Sequence, residues 1–412
     1  MNRRAVVYAA LLVVAAGAGC GSQRGAGGSR TLNWYVFNEP GGAYDAAVSR
    51  CNRQARGRYR INYVRLPTDA NQQRELLVRR LAAKDPSVDI AGLDVVWTAE
   101  FAQAGWIRPW TGPRRAQAIR GRLQGPLRTV EYRGKIWAVP FTTNTQLLWY
   151  RKDRVPPPAS DITWNRLIDQ ASRQGKAIEE QGNQYEGLTV WVNALVEGAG
   201  SSIVDQRGQV RLDPATTRRA AEVIRRLATS RAAPPGLATN KEDEARLGFE
   251  SGRSNYALNY TFIYASAGEK KGFQPKIGWA RYPRTVAGRP SRPPLGGINL
   301  GIGAYTRQPA LAYDAALCLA QPANQVIAAE KGGLPPTSET VYRDPGVRKA
   351  FPFSELLRTS IQDGGPRPVA PAYGDISLAI QKSFHPESQI EVTAVVSRLR
   401  ERLAKAAQGR IF

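Results

Sequence analysis

The chain has 412 residues, a formal net charge of +24 at pH 7, one histidine and three cysteines. This length exceeds the size at which a single hydrophobic core stops growing, so we expect two domains. The basic residues are scattered rather than clustered, which argues against a nucleic-acid partner, and the lone His385 excludes zinc sites built on histidine pairs. Because no GxSxG turn or glycine-rich phosphate loop is present, we expect no catalytic residue, metal site or cofactor.

The N-terminus has the layout of an export signal. Two arginines precede the apolar run 5–16, and the small residues Gly17-Ala18-Gly19 lead directly to Cys20. The apolar run is shorter than the roughly 20 residues that a membrane-spanning helix needs. A cysteine in this place resembles the bacterial lipoprotein signal, which predicts a signal peptide at 1–19, lipidation of Cys20 and an anchor on the outer face of the cell membrane. An ordinary secretory signal with an incidental cysteine is the alternative.

The segments that follow alternate between strand-like and helical patterns, which indicates an α/β fold. The Gly- and Ser-rich stretch 20–30 predicts a flexible tether. We expect strands at 32–37, 60–66, 88–96, 135–141 and 146–150, and helices at 43–56 and 71–83. The polar patch Thr142–Thr145 lies between two apolar runs and predicts a passage between lobes. The Gly- and Pro-rich stretches near 292–297 and 332–336 predict two further passages.

Two cysteines remain if Cys20 is lipidated. An exported protein works in an oxidising compartment, where disulfides persist, so we expect a bridge between Cys51 and Cys318. Two buried free thiols are the alternative.

Several motifs together resemble a known family, and they extend over nearly the whole mature chain. They are LDVVWT at 93–98, PFTTNTQLLWY at 140–150, QYEGL at 184–188, GGINL at 296–300 and GGLP at 332–335. The resemblance is to the extracellular solute-binding proteins of ABC sugar importers, of the maltose-binding type. Within that family, LDVVWTAE, TTNTQLLWY and the contexts of the two cysteines are most similar to the trehalose-binding lipoproteins.

The resemblance implies a two-lobe, periplasmic-binding-protein-like α/β fold with three hinge crossings. Lobe one would hold 31–141 and 295–331, and lobe two would hold 146–290 and 337–412. The crossings would lie near 142–145, 291–294 and 332–336. Both Cys51 and Cys318 would then fall in lobe one, so that a disulfide would leave the hinge free.

The resemblance also implies a sugar site between the lobes. In lobe one and the hinge, Asp94 would accept hydrogen bonds from the ligand, with a helix N-cap as its alternative role, and Asn144 would bind from the hinge. Asn38, Glu39 and Gln73 are further candidates; for Glu39 a plain turn, and for Gln73 a solvent-facing side chain or its neighbour Gln72, stay open.

In lobe two, Glu186 would bind the ligand and Tyr260, next to Asn259, would be a sugar platform, because flat aromatic rings suit the C–H faces of a pyranose. Arg367 would donate a forked pair of hydrogen bonds, with a plain surface charge as the alternative. Gly296 and Gly297 would let the backbone approach the ligand. Ile298 stands where some sugar binders of the family carry tryptophan.

The implied function is the capture of trehalose or a related α-glucoside by hinge closure. The protein would be a monomer without enzymatic activity that delivers the sugar to the permease subunits of an importer driven by a cytoplasmic ATPase. A binder of a maltose-type oligosaccharide and a secreted glycoside hydrolase remain as alternatives.

Overall fold

The computed structural model describes residues 30–205 and 209–407. The predicted signal peptide, Cys20 and the tether up to residue 29 lie outside the described residues. The strands are β1 Arg30–Phe37, β2 Tyr59–Leu66, β3 Ile90–Asp94, β4 Ile107–Arg108, β5 Glu131–Tyr132, β6 Lys135–Ile136, β7 Ala138–Thr145, β8 Leu147–Arg151, β9 Ala177–Glu179, β10 Ser254–Asn259, β11 Ile277–Ala280, β12 Pro294–Gly303 and β13 Gly365–Pro366.

The helices alternate with the strands through most of the chain. They are α1 Ala43–Ala55, α2 Ala70–Ala82, α3 Thr98–Gln103, α4 Gly112–Ile119, α5 Gln124–Arg128, α6 Trp164–Gln174, α7 Glu186–Ala199, α8 Pro214–Thr229, α9 Glu242–Glu250, α10 Phe262–Glu269, α11 Pro309–Leu319, α12 Pro322–Gly332, α13 Pro345–Ala350, α14 Ser354–Asp363, α15 Tyr373–Phe384 and α16 Val392–Ala407. None of the helices in the described part is long and apolar enough to span a bilayer.

The first sheet has the order β13-β12-β3-β1-β2, with β4 and β7 also pairing to β12. The strands β1, β2 and β3 are parallel, and β12 runs antiparallel to β3, so that Ile298 lies opposite Asp94. Parallel strands are buried on both faces, which explains why β3 (IAGLD) reads as a continuous apolar run ending in one carboxylate. The side chain of Asp94 thus stands at the carboxyl edge of the sheet.

The second sheet has the order β11-β8-β10-β9. It is covered by α6, α7, α8, α15 and α16, whose apolar faces form one core with Trp164, Trp191 and Phe384 at its centre. The helix α6 shows how the sequence sets these boundaries. The side chain of Thr163 accepts a hydrogen bond from the backbone N–H of Arg166 at the start, and Gly175 ends the helix in the left-handed conformation.

The two sheets are joined where β7 becomes β8. The sequence predicts a passage through Thr142–Thr145, but these residues are the last four of β7, because they pair with β12 up to the match of Thr145 with Leu295. The chain enters the second sheet through Gln146 alone. The hydroxyl groups of Thr143 and Thr145 donate inside the sheet, as when Thr145 Oγ1 bonds the carbonyl of Pro294 at 2.7 Å.

Other connections between the sheets lie beside the connection from β7 to β8. The start of β12 follows β11, and β13 pairs with β12 so that Leu295 also matches Pro366. Between the predicted crossing at 332–336 and β13, the chain forms α13 and α14, which pack near α12 and α5 and also bring Phe353 to 5.2 Å from the ring of Trp149 in β8. The lobe boundaries themselves stay a prediction.

The predicted disulfide is confirmed. Cys51 on α1 is bonded to Cys318 on α11, with Cα atoms 5.9 Å apart. Both helices lie in the core that surrounds the first sheet. The bridge therefore joins two helices on the same sheet.

Candidate functional site

Arg367 lies where the two sheets face each other, directly after β13. Its guanidinium donates to Glu186 Oε1 at 2.6 Å and to Asp94 Oδ1 at 3.0 Å. Asp94 ends a strand of the first sheet, whereas Glu186 opens α7, which packs on the second sheet. Only 6% of Arg367 is exposed, and its Nε–H has no partner among the described residues. One buried cation thus holds two carboxylates from opposite sides of a cleft.

The charges around Arg367 determine its ionisation. Burial alone would lower the pKa of its guanidinium, but the nearby Asp94, Tyr373 and Glu186 together outweigh burial and raise the pKa. The group is therefore a permanent cation in the cleft, with five N–H donors in a fixed plane. Such a fork can donate to carboxylates or to the hydroxyl oxygens of a ligand.

Glu186 has more partners than any other candidate. The hydroxyl of Tyr373 donates to its Oε1, and Ser377 Oγ donates to its Oε2 at 2.7 Å. Tyr373 and Ser377 are four residues apart on α15, so both side chains lie on one face of that helix. Glu186 is also the first residue of α7, where the helix dipole favours a negative charge. These contacts orient the carboxylate toward Arg367.

Asp94 is held by the turn that follows β3. Its Oδ1 accepts from the backbone N–H of Val96 at 3.2 Å, and its carbonyl accepts from that of Trp97 at 2.9 Å. The ring of Trp97 is buried and stacks on Phe101, with 6.4 Å between ring centroids. A side-chain hydrogen bond to a helix N-terminus, the alternative role of Asp94, is absent at α3 in the structure.

Tyr260 extends the cleft along the second sheet. It follows β10, and burial raises the pKa of its hydroxyl, as do the charges of Glu242, Glu186 and Asp94, whereas Arg367 opposes them. The group is neutral at physiological pH and is a hydrogen-bond donor as well as an acceptor. Tyr260 is thus within range of the charges of Asp94, Glu186 and Arg367.

A second polar layer lies behind Tyr260. The hydroxyl of Tyr185 and the carboxyl of Glu242 lie close together, and burial raises the pKa of both. Glu180, which follows β9, is fully buried, and its pKa is raised well above the ordinary value by burial, with Glu242 adding and the Gln181 backbone amide opposing. Neither Glu180 oxygen meets a side-chain donor among the described residues. A neutral carboxyl can itself donate a hydrogen bond.

Three other predicted residues, Glu39, Gln73 and Asn259, bond within the protein through their side chains. Both oxygens of Glu39 accept from the start of α1, from the N–H groups of Gly41 at 2.7 Å and Ala43 at 2.6 Å, which matches its turn alternative. Gln73 is 5% exposed and donates to the carbonyl of Thr68, so it does not face solvent. The side chain of Asn259 is buried; it donates to the carbonyl of Glu242 and accepts from the backbone N–H of Tyr260. Asn38 is exposed beyond the end of β1.

Asn144, Gly296 and Gly297 lie side by side on the paired strands β7 and β12. Asn144 pairs with Gly296, and a Cβ on Gly296 would lie 2.1 Å from Asn144 Oδ1. Gly297 has φ 132° and a Cβ there would lie 2.3 Å from the carbonyl of Thr142. The glycines thus make room for the neighbouring strand. Asn144 Oδ1 is buried and has no partner among the described residues.

Tyr373, Ser377 and Glu180 are not among the residues predicted from the sequence. The first two carry a readable signal, because a Tyr and a Ser at i and i+4 near the start of an amphipathic helix share one face. Glu180 is one of two adjacent glutamates in an apolar context, AIEEQ, and an acid within a buried strand end is unusual. Among the described residues no group of His, Cys, Asp or Glu could hold a metal ion.

Two α/β layers that face each other across a cleft, with polar side chains from both converging in it, define a two-lobe solute-binding protein. The profile of the family described as "Bacterial extracellular solute-binding protein" matches residues 13–326, and the chain belongs to this family. This confirms the family resemblance; the members are binding proteins rather than enzymes.

Two related proteins match this chain over different lengths. A probable ABC transporter-binding protein of Deinococcus radiodurans is 29% identical over 347 residues, which cover 79% of this chain and 81% of the relative. A mannitol-binding protein of Pseudomonas aeruginosa is 24% identical over 200 residues; the match covers 45% of this chain, and the chain spans less than half of that relative.

Solved structures agree on the fold. Maltose-bound MalE3 of T. maritima superposes with a TM-score of 0.79 at 24% identity, over 91% of this chain and 99% of that protein. The GacH receptor of Streptomyces glaucescens, solved unliganded and with acarbose, has a TM-score of 0.76 at 20% identity, over 92% and 99% of the two chains. These likenesses confirm the predicted maltose-binding-type fold.

Proposed function

We propose that the protein is the extracytoplasmic binding component of an ABC sugar importer and captures trehalose or a related α-glucoside between its lobes. The observation that carries this proposal is the meeting of Asp94, Glu186 and Arg367 from opposite sides of the cleft. Charged hydrogen-bonding groups recognise sugar hydroxyls, each contributing about 1.5–3 kcal/mol net, and two tyrosines, Tyr260 and Tyr373, lie beside them.

Trehalose is favoured by the likeness of LDVVWTAE and TTNTQLLWY to trehalose-binding lipoproteins. The aliphatic Ile298 supports this choice, since it replaces an aromatic platform that suits maltodextrins. A maltose-type ligand is the second candidate, and the fold of maltose-bound MalE3 favours it. Hydrolysis is a third: a glycosidase leaves a gap between its two carboxyl groups for water or the glycosidic oxygen. Arg367 stands in that gap here.

The test is calorimetric titration of the purified protein with trehalose, maltose, sucrose, mannitol and glycerophosphodiesters. We expect saturable heat with trehalose and a matching rise in the unfolding temperature, since a ligand that binds only the folded state stabilises it. Heat with another member of the panel but none with trehalose would mean that the ligand is that other compound, and the function as a binding protein would stand. Release of free glucose during incubation would favour the hydrolase.

The site would work by closing around its ligand, the switching mode of two-lobe binders. Small-angle scattering with and without the sugar that binds should show a smaller radius of gyration in the bound state. Identical scattering curves would contradict capture by closure.

Delivery requires the protein to stay near its permease. We propose that Cys20 carries the lipid anchor and that the stretch 20–30 acts as a tether, which would hold the binding domain at the outer face of the membrane. Two acyl chains anchor a protein stably, whereas one anchors it marginally. Expression of the full chain with Cys20→Ala should move the protein from the membrane fraction to the medium or periplasm. Retention of the variant in the membrane would refute the anchor.

A further inference from the structure

A cavity of about 700 Å³ lies between the two sheets, and Arg367 of the sugar cleft is part of its lining. One wall is the segment from Arg128 to Gly134 beside the first sheet, and the other is the C-terminal half of α7 with residues 202–205. Glu197, on this half of α7, is eleven residues from Glu186, or about 16 Å at roughly 1.5 Å per residue. Residues 364–369, around β13, form its floor. Asp94 and Glu186 do not line the cavity, which therefore adjoins the sugar cleft and shares Arg367 with it.

Three arginines line this cavity without ion pairs to the described residues: Arg128, Arg133 and Arg292. Arg128 donates to the carbonyl of Gly364 at 2.6 Å and Arg292 to that of Asp363 at 2.9 Å, both at the end of α14. Each guanidinium has five N–H donors, so these single bonds leave most donors unused. The two guanidiniums bond the carbonyls of adjacent residues, so they lie close together. Burial and the charge of Arg292 lower the pKa of Arg128, whereas the charges of Glu197 and Asp363 oppose this shift.

The acidic groups of the cavity do not cancel these cations. Asp205 accepts from Arg211 at 3.4 Å and from the backbone N–H of Gln209. Burial raises the pKa of Glu197 to about 7, against the opposing charges of Arg292 and Arg128, so its carboxyl is largely protonated in mildly acidic solution. Glu131 is exposed at the rim. Close, unpaired guanidiniums between low-dielectric walls create a positive potential that attracts anions.

We propose that this cavity binds a small phosphate monoester. Planar guanidinium groups recognise phosphate through paired N–H donors, and two or more such groups can share one phosphate. The volume is within the range of small-molecule sites and leaves room for an organic group beside the phosphate. Because its walls come from both sheets, the occupied cavity and the angle between the lobes are thermodynamically linked.

The experiment is calorimetric titration of the sugar-free protein with glycerol 3-phosphate and with inorganic phosphate, with sodium chloride at equal ionic strength as the blank. We expect saturable binding of glycerol 3-phosphate. Arg128→Gln and Arg292→Gln should each weaken it by at least about tenfold, the loss expected for a hydrogen bond to a charged group. Arg218→Gln, at an exposed arginine of α8, is the control and should bind as the natural chain does.

Glu197→Gln changes affinity in the opposite direction. It removes a negative charge from the cavity and should tighten binding at pH 8, which a damaged fold could not do. Absence of heat with both phosphates, or equal affinity of the Arg128→Gln and Arg218→Gln variants, would overturn the proposal. Because the cavity shares Arg367 with the sugar cleft, trehalose is titrated separately on the same variants, so that a loss of phosphate binding is distinguished from a loss of sugar binding.

Discussion

Arg367 and Glu186 are 181 positions apart in the chain, and their side chains meet at 2.6 Å. The same guanidinium reaches Asp94 on the other side of the cleft at 3.0 Å. Both carboxylates are partly exposed, with 35% of the Glu186 side chain and 26% of the Asp94 side chain accessible. The triad therefore presents charged donors and acceptors to the cleft while it holds the two sides together.

Replacement of Asp94 by Ala should weaken sugar binding. The variant loses one charged acceptor and leaves part of the Arg367 fork unpaired, so we expect a loss of about 1.5–3 kcal/mol in binding free energy. Titration with the sugar that binds the natural chain measures the loss. Asp161→Ala removes an exposed carboxylate outside the cleft and should have no effect. Unchanged affinity of the Asp94 variant would remove this residue from the site.

Replacement of Arg367 by Lys tests the fork rather than the charge. A lysine keeps the positive charge, but its single ammonium lacks the planar pair of N–H groups that reaches Asp94 and Glu186 together. We expect the affinity to fall by about tenfold or more, and further in Arg367→Gln, which leaves two carboxylates facing each other. The same titration decides, with Arg218→Lys as the matched control. A lysine variant that binds as tightly as the natural chain would contradict the role of the fork.

Glu197→Gln should stabilise the protein in alkaline but not in acidic solution. Burial raises the pKa of this carboxyl to about 7 in the folded state, while in the unfolded chain it ionises near 4.5. As the pH rises from about 4.5 to 7, the unfolded state releases a proton that the folded state retains, so the natural chain loses stability. Glutamine cannot ionise and avoids this loss, which amounts to about 3 kcal/mol.

The free energies of unfolding of the variant and of the natural chain, measured with urea at pH 4 and pH 8, test this pH dependence. The difference between the variant and the natural chain should be near zero at pH 4 and favour the variant at pH 8. Glu269→Gln, at an exposed glutamate of α10, should show no such dependence. Equal differences at the two pH values would mean that the carboxyl does not titrate in this window.

Removal of the Cys51–Cys318 disulfide should lower stability without changing sugar affinity. The bridge closes a loop of 267 residues in the unfolded chain, and its loss typically costs about 2–4 kcal/mol. Both cysteines lie on helices of one sheet, so lobe closure does not stretch the bond. The double variant Cys51→Ala, Cys318→Ala is measured by urea unfolding and by sugar titration. Reductant should destabilise the natural chain and leave the variant unaffected; a marked loss of sugar affinity would contradict this placement.

The sequence predicts the elements well where one pattern dominates. The strand β1 and the helices α1 and α2 lie within two residues of their predicted bounds, because alternation and helical spacing are local signals. The sequence predicts strands that end at 141 and begin again at 146, whereas the polar patch Thr142–Thr145 between them extends β7. The hydroxyl groups of Thr143 and Thr145 donate to carbonyls of β12, a strand about 150 positions away, and no local pattern contains that partner.

In the candidate site, too, the local features can be predicted from the sequence and the long-range contacts cannot. A strand end predicts the position of Asp94, and a helix start that of Glu186, since both depend on a few neighbouring residues. Their meeting through Arg367 depends on the approach of two sheets. The role of Glu39 follows from the helix that begins next to it, because its carboxylate accepts hydrogen bonds from free N–H groups at the start of α1. Arg367 itself looks like any of the many arginines until its burial is known.

At the joint of the molecule, Thr145 of β7, Leu295 of β12 and Pro366 of β13 lie abreast in one hydrogen-bonded ribbon. A ribbon of strands bends readily across its flat face but resists shear within its plane, because shear would break the ladder between neighbours. The two halves should consequently rotate relative to each other about a single axis at this joint. Substitutions that stiffen or loosen this ribbon would then alter the rate of that rotation and leave the residues that bind the sugar unchanged.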